Sequence, residues 1–458
     1  MKFASTRGNT PPTAIDDALI AGLAPDGGLY VPERIPAFAN LAEATTSLAD
    51  TARRVLAPYF DESRLREMLP PLCARAYDFD APLVAMRGAG DSLLELFHGP
   101  TAAFKDYAAR FLAEALGALR ADDAPTTTIL VATSGDTGAA VAGAFHRRPG
   151  FEVVILYPDG RVSPRQAHGL ECWGDNVRTF RVDGSFDDCQ RMAKAALSDR
   201  DLRERMALTS ANSISLGRLL PQVAYYAHTA LRFHVRQGEA LNLVVPTGNL
   251  GNAAAAFVAK RMGLPIGEIV LATNANDVLP RFLAGGDYAP QATRATLANA
   301  MDVGAPSNFE RLRHWHGDDT ALRAAVSAHA VDDATIRSTI SAAPERHGIV
   351  PCPHTACGLH VLETLRAQGD TRAWTVVATA HPAKFDSIVE PLVGHPVEVP
   401  PALAVCLSRP AYGEALAADD AFAERGHMLQ LVRNGRADLM EPLCPRPGPE
   451  SRGGRGRD

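Results

Sequence analysis

LNLVVPTGNLGN, residues 241–252, reads as a short apolar strand running into a glycine-bearing turn, and the alanine-rich run from Ala253 to Met262 behind it reads as a helix. Gly263 supplies the stop. A strand apolar at nearly every position must be covered on both faces, the condition of a parallel sheet flanked by helices. The pattern recurs in TTILVA (127–132), EVVILY (152–157), NVRTFRV (176–182), EIVLAT (268–273) and WTVVAT (374–379), with helical stretches between. This alternation, closed by right-handed crossovers, predicts an α/β protein with two open parallel-sheet lobes.

Residues 1–85 follow another rhythm. An Asp26-Gly27-Gly28 turn and a proline-punctuated loop to Pro36 precede 3.6-period apolar stretches over 41–56 and 63–69, which predict an N-terminal helical cap domain. Residues 86–395 hold the two lobes. From 396 to 458 the chain is proline-punctuated and loses the strand rhythm, ending in PRPGPESRGGRGRD. That tail cannot bury apolar area and is expected to be disordered.

Ligands gather where parallel strands end. After Val245 the glycines of PTGNLGN let backbone amides converge at a helix N-terminus, a place for phosphate, although the same glycines could serve only a tight turn. Neither G-x-G-x-x-G nor G-x-x-x-x-G-K-[ST] is present, so a monophosphate fits better than a nucleotide. After Ala132, TSGDTG forms a second cup of amides and hydroxyls suited to a carboxylate, or simply a set of helix caps. After the third strand, Thr379 brings a neutral hydroxyl to the same edge, where it could equally be a β-former.

Chemistry needs a reactive group among these loops, and lysine is scarce: five occur, against 41 arginines. A compact amine can be tuned to low pKa and condense with a carbonyl, whereas a guanidinium cannot. Lys2 is terminal, and Lys194 and Lys260 lie in alanine-rich helical runs. Lys384 follows a His-Pro turn and competes weakly with Lys105, which follows a Gly-Pro-Thr turn in HGPTAAFKD (98–106) and opens an apolar helix from Phe104 to Leu119.

The bulk numbers exclude several classes. Of 458 residues 46% are hydrophobic and 21% charged, as in ordinary globular enzymes, and the formal charge of -6 provides no basic stripe for nucleic acid. The first residues contain no apolar leader and no long apolar run follows, so a cytoplasmic location without membrane insertion is expected. The seven scattered cysteines read as reduced core thiols. Cys352, His354 and Cys357 resemble a fragment of a zinc site that no second cluster completes, so no metal is expected.

Taken in order and spacing, HGPTAAFKD, ATSGDTGAA (132–140), PTGNLGN, ATNANDVLPRFLAGG (272–286), MDVGAPSNFERL (301–312) and TAHPAKF (379–385) closely resemble the threonine synthase family. The resemblance spans about residues 1–395, including STRG (5–8) and LAPDGGLYVPE (23–33). It implies pyridoxal 5'-phosphate as cofactor and the fold type II, or tryptophan synthase beta-like, architecture. Lys105 matches the lysine of the internal aldimine. Gly248, Asn249, Leu250, Gly251 and Asn252 match the cofactor-phosphate loop, and Thr379 matches the hydroxyl that meets the pyridine nitrogen. Ser134, Gly135 and Thr137 match the loop receiving the substrate carboxylate, while Asn212, Ser213 and Arg218 in SANSISLGR (210–218) resemble residues that grip the substrate phosphate. Asp136 stands where more distant relatives carry Asn near the cofactor's phenolic oxygen. An ionised carboxylate would repel that oxygen, so it is expected to be protonated or turned toward backbone amides.

The resemblance implies conversion of O-phospho-L-homoserine and water to L-threonine and phosphate. The alternatives are a phospholyase on the same fold, releasing 2-oxobutyrate, ammonia and phosphate, and a non-enzymatic phosphate-ligand-binding protein. Monomer and homodimer both stay open.

Overall fold

The computed structural model describes residues 1–41, 47–88, 90–199, 202 and 207–418. An antiparallel pair, β1 (Phe3–Ser5) and β2 (Tyr30–Pro32), opens the chain with three helices, Ile15–Ala21, Leu48–Phe60 and Leu69–Ala76. The predicted helix over 41–56 begins later, at Leu48, where Ser47 accepts a hydrogen bond from the Asp50 amide; residues 42–46 lie outside the described residues. The stretch 63–69 is a single tight turn, and the helix follows it. Pro70 and Pro71 sit in its first turn, where no N–H is needed.

The large lobe begins with β3 (Leu83–Ala85) and β4 (Ser92–Glu95), followed by the helix Lys105–Leu119. The chain then builds the small lobe from β5 (Thr127–Ala132), β6 (Phe151–Pro158), β7 (Val177–Asp183) and β8 (Leu208–Thr209). It returns to the large lobe with β9 (Leu241–Pro246), β10 (Ile266–Thr273), β11 (Ser327–Ala330) and β12 (Trp374–Ala378). The large sheet runs β11-β10-β9-β12-β4-β3, parallel except for the edge strand β3.

The small sheet runs β13-β7-β6-β5-β8, all parallel, where β13 (Gly413–Ala417) comes from the C-terminal extension. The extension is therefore more than a tail. After the helix Pro401–Leu407 it adds an edge strand to β7, from the Gly413–Thr179 to the Ala417–Asp183 pair. The Gly/Arg/Pro terminus expected to be disordered lies outside the described residues.

Strand alternation explains the layering. In β5 and β6, Ile129, Val131, Val153 and Ile155 enter the principal core, while Leu130, Ala132, Val154 and Leu156 enter a separate core on the other face. In β9 and β10, Leu243, Val245, Ile269 and Leu271 join the principal core, and Val244, Val270 and Ala272 face a third. The principal core also takes in the N-terminal helices: Phe60 meets Phe111 edge-on at 5.9 Å, so the cap packs on the helix that Lys105 opens. The loops after β5, β8, β9 and β12 all leave the carboxyl ends of parallel strands.

Candidate active site

The turn carrying Lys105 is held on both sides. Asp106 accepts from the Thr101 amide at 2.9 Å and the Thr101 hydroxyl at 2.7 Å, and a side chain at Gly99 would collide with that carboxylate. Phe104 N–H donates to the Thr379 carbonyl at 2.9 Å and His381 N–H to the Ala102 carbonyl at 3.0 Å, so the end of β12 is stitched to the lysine turn. Lys105 and Thr379 thus share one hydrogen-bonded junction. The Lys105 amine lies over the Phe104 ring, 4.4 Å from its centre. Burial, and then the Arg218 guanidinium, push its pKa down to about 8, although Asp136 pulls upward. The Thr379 hydroxyl makes no hydrogen bond among the described residues.

The loop after β9 has steric reasons for its composition. A Cβ at Gly248 would stand 2.6 Å from the Met301 Cα, and Leu250 takes a left-handed φ of 58° before the helix Gly251–Arg261 begins. Asn249 reaches sideways: its Nδ2 donates to the Ser213 hydroxyl at 2.6 Å, and its Oδ1 accepts from the Ser307 amide. Asn252 Oδ1 accepts from the Tyr225 and Tyr226 hydroxyls at 2.8 and 2.7 Å, leaving its buried Nδ2 without a partner.

Beside this loop stands Arg218, 1% exposed. Its Nη1 donates to the Ala211 carbonyl at 2.6 Å, its Nε has no partner, and no carboxylate pairs with it among the described residues. Burial lowers its pKa to about 10, still a full cation at neutral pH. The Ser215 hydroxyl and Asn212 Oδ1, neighbours in the chain, are likewise buried and unpartnered. The spare Arg218 Nε–H and Ser215 O–H donors beside a guanidinium make a place for a multiply charged anion, which Asn212 can join only by presenting its Nδ2.

The cup after β5 is narrower than its sequence suggests. The Thr133 hydroxyl accepts from the Gly135 and Gly138 amides, both at 3.0 Å, so those donors are already used. Gly135, at φ 131°, shapes the turn, while the hydroxyls of Ser134 and Thr137 make no hydrogen bonds among the described residues. Asp136 is neither turned to amides nor free. Its Oδ1 lies 2.7 Å from Lys384 Nζ and accepts from Gln166 Nε2 at 3.1 Å. Burial would raise its pKa, but Lys384, His354 and Gln166 outweigh that and hold it below the usual carboxylate range.

Sequence reasoning missed the residues that fix this arrangement. Arg311, fully buried, donates to the Tyr30 carbonyl through Nε and Nη2, to the Ile214 carbonyl through Nη2, and to Asn308 Oδ1 at 2.6 Å through Nη1. Asn308 in turn donates to the carbonyls of Asn249 and Ser213. One guanidinium thus ties the N-terminal cap to both anion loops. Its only sequence signal was its place in MDVGAPSNFERL. Of the cysteine and histidine fragment, Cys352 caps the helix Pro353–Ala367 through the Thr355 amide, and His354 Nε2 accepts from the Ala300 amide. The six described cysteines are buried and free; Cys444 lies outside the described residues.

Comparison with known proteins assigns the family. Residues 93–382 match the pyridoxal-phosphate dependent enzyme family, residues 2–77 the threonine synthase N terminus, and residues 355–424 the threonine synthase C-terminal family. Threonine synthase of Escherichia coli is 38% identical over 423 residues, covering 92% of this chain and 97% of the relative. The chain belongs to the threonine synthase family. The crystal structure of threonine synthase from Escherichia coli superposes with a TM-score of 0.84 at 36% identity over 95% of this chain and all of that one. The structure of pyridoxal-phosphate-bound threonine synthase from Brucella melitensis gives 0.85 at 36% identity, covering 95% and 99%. The protein is thus a pyridoxal-phosphate-dependent lyase of fold type II. The family match runs past residue 395 to 424, consistent with β13 being part of the small lobe.

Proposed function

We infer that the protein converts O-phospho-L-homoserine and water to L-threonine and phosphate, a carbon–oxygen lyase reaction in which the γ-phosphate leaves and water adds at the β carbon. Arg218 carries this reading. A fully buried guanidinium with no carboxylate partner among the described residues and an unpartnered Nε needs an anion, and it stands close enough to Lys105 to depress that amine.

The residues present fit the cofactor. Lys105 supplies an amine tuned toward its neutral form, Thr379 a free hydroxyl for the pyridine nitrogen, and Gly248, Asn249, Leu250, Gly251 and Asn252 a helix N-terminus with one spare amide donor for the phosphate. Asp136 belongs to the cofactor's surroundings through its charge. Bound pyridoxal phosphate supplies an electron sink for charge developing at the substrate α carbon, moderated by a neutral partner at the ring nitrogen.

The chain's own residues do the rest. Ser134 and Thr137 offer hydroxyls to the substrate carboxylate on a turn shaped by Gly135, and Asn212, Ser213 and Arg218 receive the γ-phosphate. Lys105, as a free amine beside the bound substrate, would take the α proton and then a β proton. Its depressed pKa keeps a useful fraction neutral near pH 8. Water must be admitted only for the addition step, which calls for closure of the small lobe over the site.

The phospholyase alternative is not favoured, because the relatives that match over nearly the whole chain are threonine synthases. Purified protein incubated with O-phospho-L-homoserine should release threonine and phosphate in equal amounts. Keto acid and ammonia in place of threonine would overturn the assignment. The same reading places the protein in the cytoplasm as a monomer or homodimer; no described helix is long and apolar enough to cross a membrane.

A further inference from the structure

Two buried charges meet where the lobes touch. Asp136 opens the first helix after β5 in the small lobe, Lys384 follows β12 in the large lobe, and both side chains are 3% exposed at their 2.7 Å contact. Lys384 Nζ donates a second hydrogen bond, at 2.8 Å, to the Thr101 carbonyl in the turn that presents Lys105. The seam is reinforced by the Ser163 hydroxyl donating to the Lys384 carbonyl and by Arg165 reaching the Ala383 carbonyl and Asp386. A buried ion pair is a poor device for stability, since well-packed neutral groups usually do as well or better. Its distinctive property is a fixed, compensated carboxylate whose charge is felt by the Lys105 amine.

The other titratable groups around the pair leave this charge dominant. His354 and His381 are pushed down to about 4 by burial and are neutral, the Cys352 thiol is pushed up by burial, and Asp106 is committed to Thr101. Cys406 lies within reach of the Lys384 field, with its Sγ 2.7 Å from that of Cys172. Around Lys105 itself the charges are Arg218 and Asp136.

We propose that Lys384 is a positioning residue for the reaction: by pairing with Asp136 and holding the Thr101 carbonyl it keeps a carboxylate ionised beside Lys105, and the pair sets the pH at which the nitrogen linking Lys105 to the cofactor gains its proton. The proposal rests on Lys105 carrying the cofactor. Negative charge at Asp136 favours the protonated nitrogen; removing it while Lys384 stays charged disfavours that form.

The test is a spectrophotometric pH titration of the holoprotein, following the absorbance of the cofactor linkage. In Asp136→Asn the midpoint should fall by about one pH unit. In Asp136→Asn/Lys384→Met, where neutral groups replace the pair, it should recover about half of that fall and stay below the parent's midpoint. Cys406→Ser should leave it in place. A midpoint unmoved in Asp136→Asn, a double variant no closer to the parent than the single one, or an equal shift in Cys406→Ser would overturn the proposal. Should Asp136→Asn fail to fold, the double variant alone decides, because its midpoint must still lie below the parent's. Peptide mapping after borohydride reduction separates the two readings. A cofactor adduct away from Lys105 sinks the site assignment, whereas an adduct at Lys105 with unmoved midpoints sinks only the role of the pair.

Discussion

Lys105 and Lys384 form an instructive pair of regions. Each follows a proline at the carboxyl edge of the large sheet, Lys105 as the first residue of a helix and Lys384 within the short turn Pro382–Phe385, and each feels Asp136. Their surroundings separate them. Lys384 is wedged between the Asp136 carboxylate at 2.7 Å and the Thr101 carbonyl at 2.8 Å. Lys105 lies over an aromatic ring, and burial, then the Arg218 charge, push its pKa down to about 8. Identical side chains on one seam thus sit in different settings, Lys384 held by two acceptors and Lys105 tuned down to about 8, and it is the second that suits a nucleophile and base.

Breaking the first region should have the largest effect. Lys105→Ala is expected to lower kcat by at least about 10³-fold and to abolish the absorbance of the cofactor linkage, whereas Lys384→Met should retain that absorbance. Next comes the charge that depresses Lys105. Arg218→Ala should lower kcat/KM for the phosphorylated substrate by roughly 100-fold, and Arg218→Lys should recover little of it, because a point charge does not reproduce the guanidinium fork. Inhibition by inorganic phosphate should weaken in parallel.

A stability measurement sharpens the second region. Lys384→Met leaves Asp136 buried without its cation, a loss of about 3–5 kcal/mol in chemical denaturation, most of which the added Asp136→Asn change should restore. The smallest effect is one of pH. Because Lys105 must be neutral to capture the cofactor, the capture rate of apoprotein should climb about tenfold per pH unit and level off above pH 8, while Lys384→Met/Asp136→Asn should level off at lower pH. A capture rate flat between pH 6 and about 8 would show that the amine is not the titrating group.

Much of this was legible locally. Apolar runs that must be covered on both faces marked β5, β6, β9, β10 and β12 to within a residue or two, and the glycine-rich turns behind β5 and β9 marked helix N-termini. What escaped was non-local. Nothing near Asp136 in the chain hints that its charge is met by Lys384, so its carboxylate looked misplaced when it is paired. Arg311 escaped for the same reason, since its acceptors at Tyr30, Ile214 and Asn308 converge only in the folded chain. The short β13 was hidden by the prolines before it and by the fact that it needs β7 as a template. In the N-terminal cap, the periodic stretch 63–69 stopped just short of the helix Leu69–Ala76, whose first turn holds Pro70 and Pro71.

The contrast between the two lysines rests on where the cofactor is attached. Holoprotein reduced with borohydride, digested and mapped by mass spectrometry gives the answer directly. The pyridoxyl mass is expected on Lys105, with Lys384 unmodified; finding it on Lys384 or on any other amine would contradict the account.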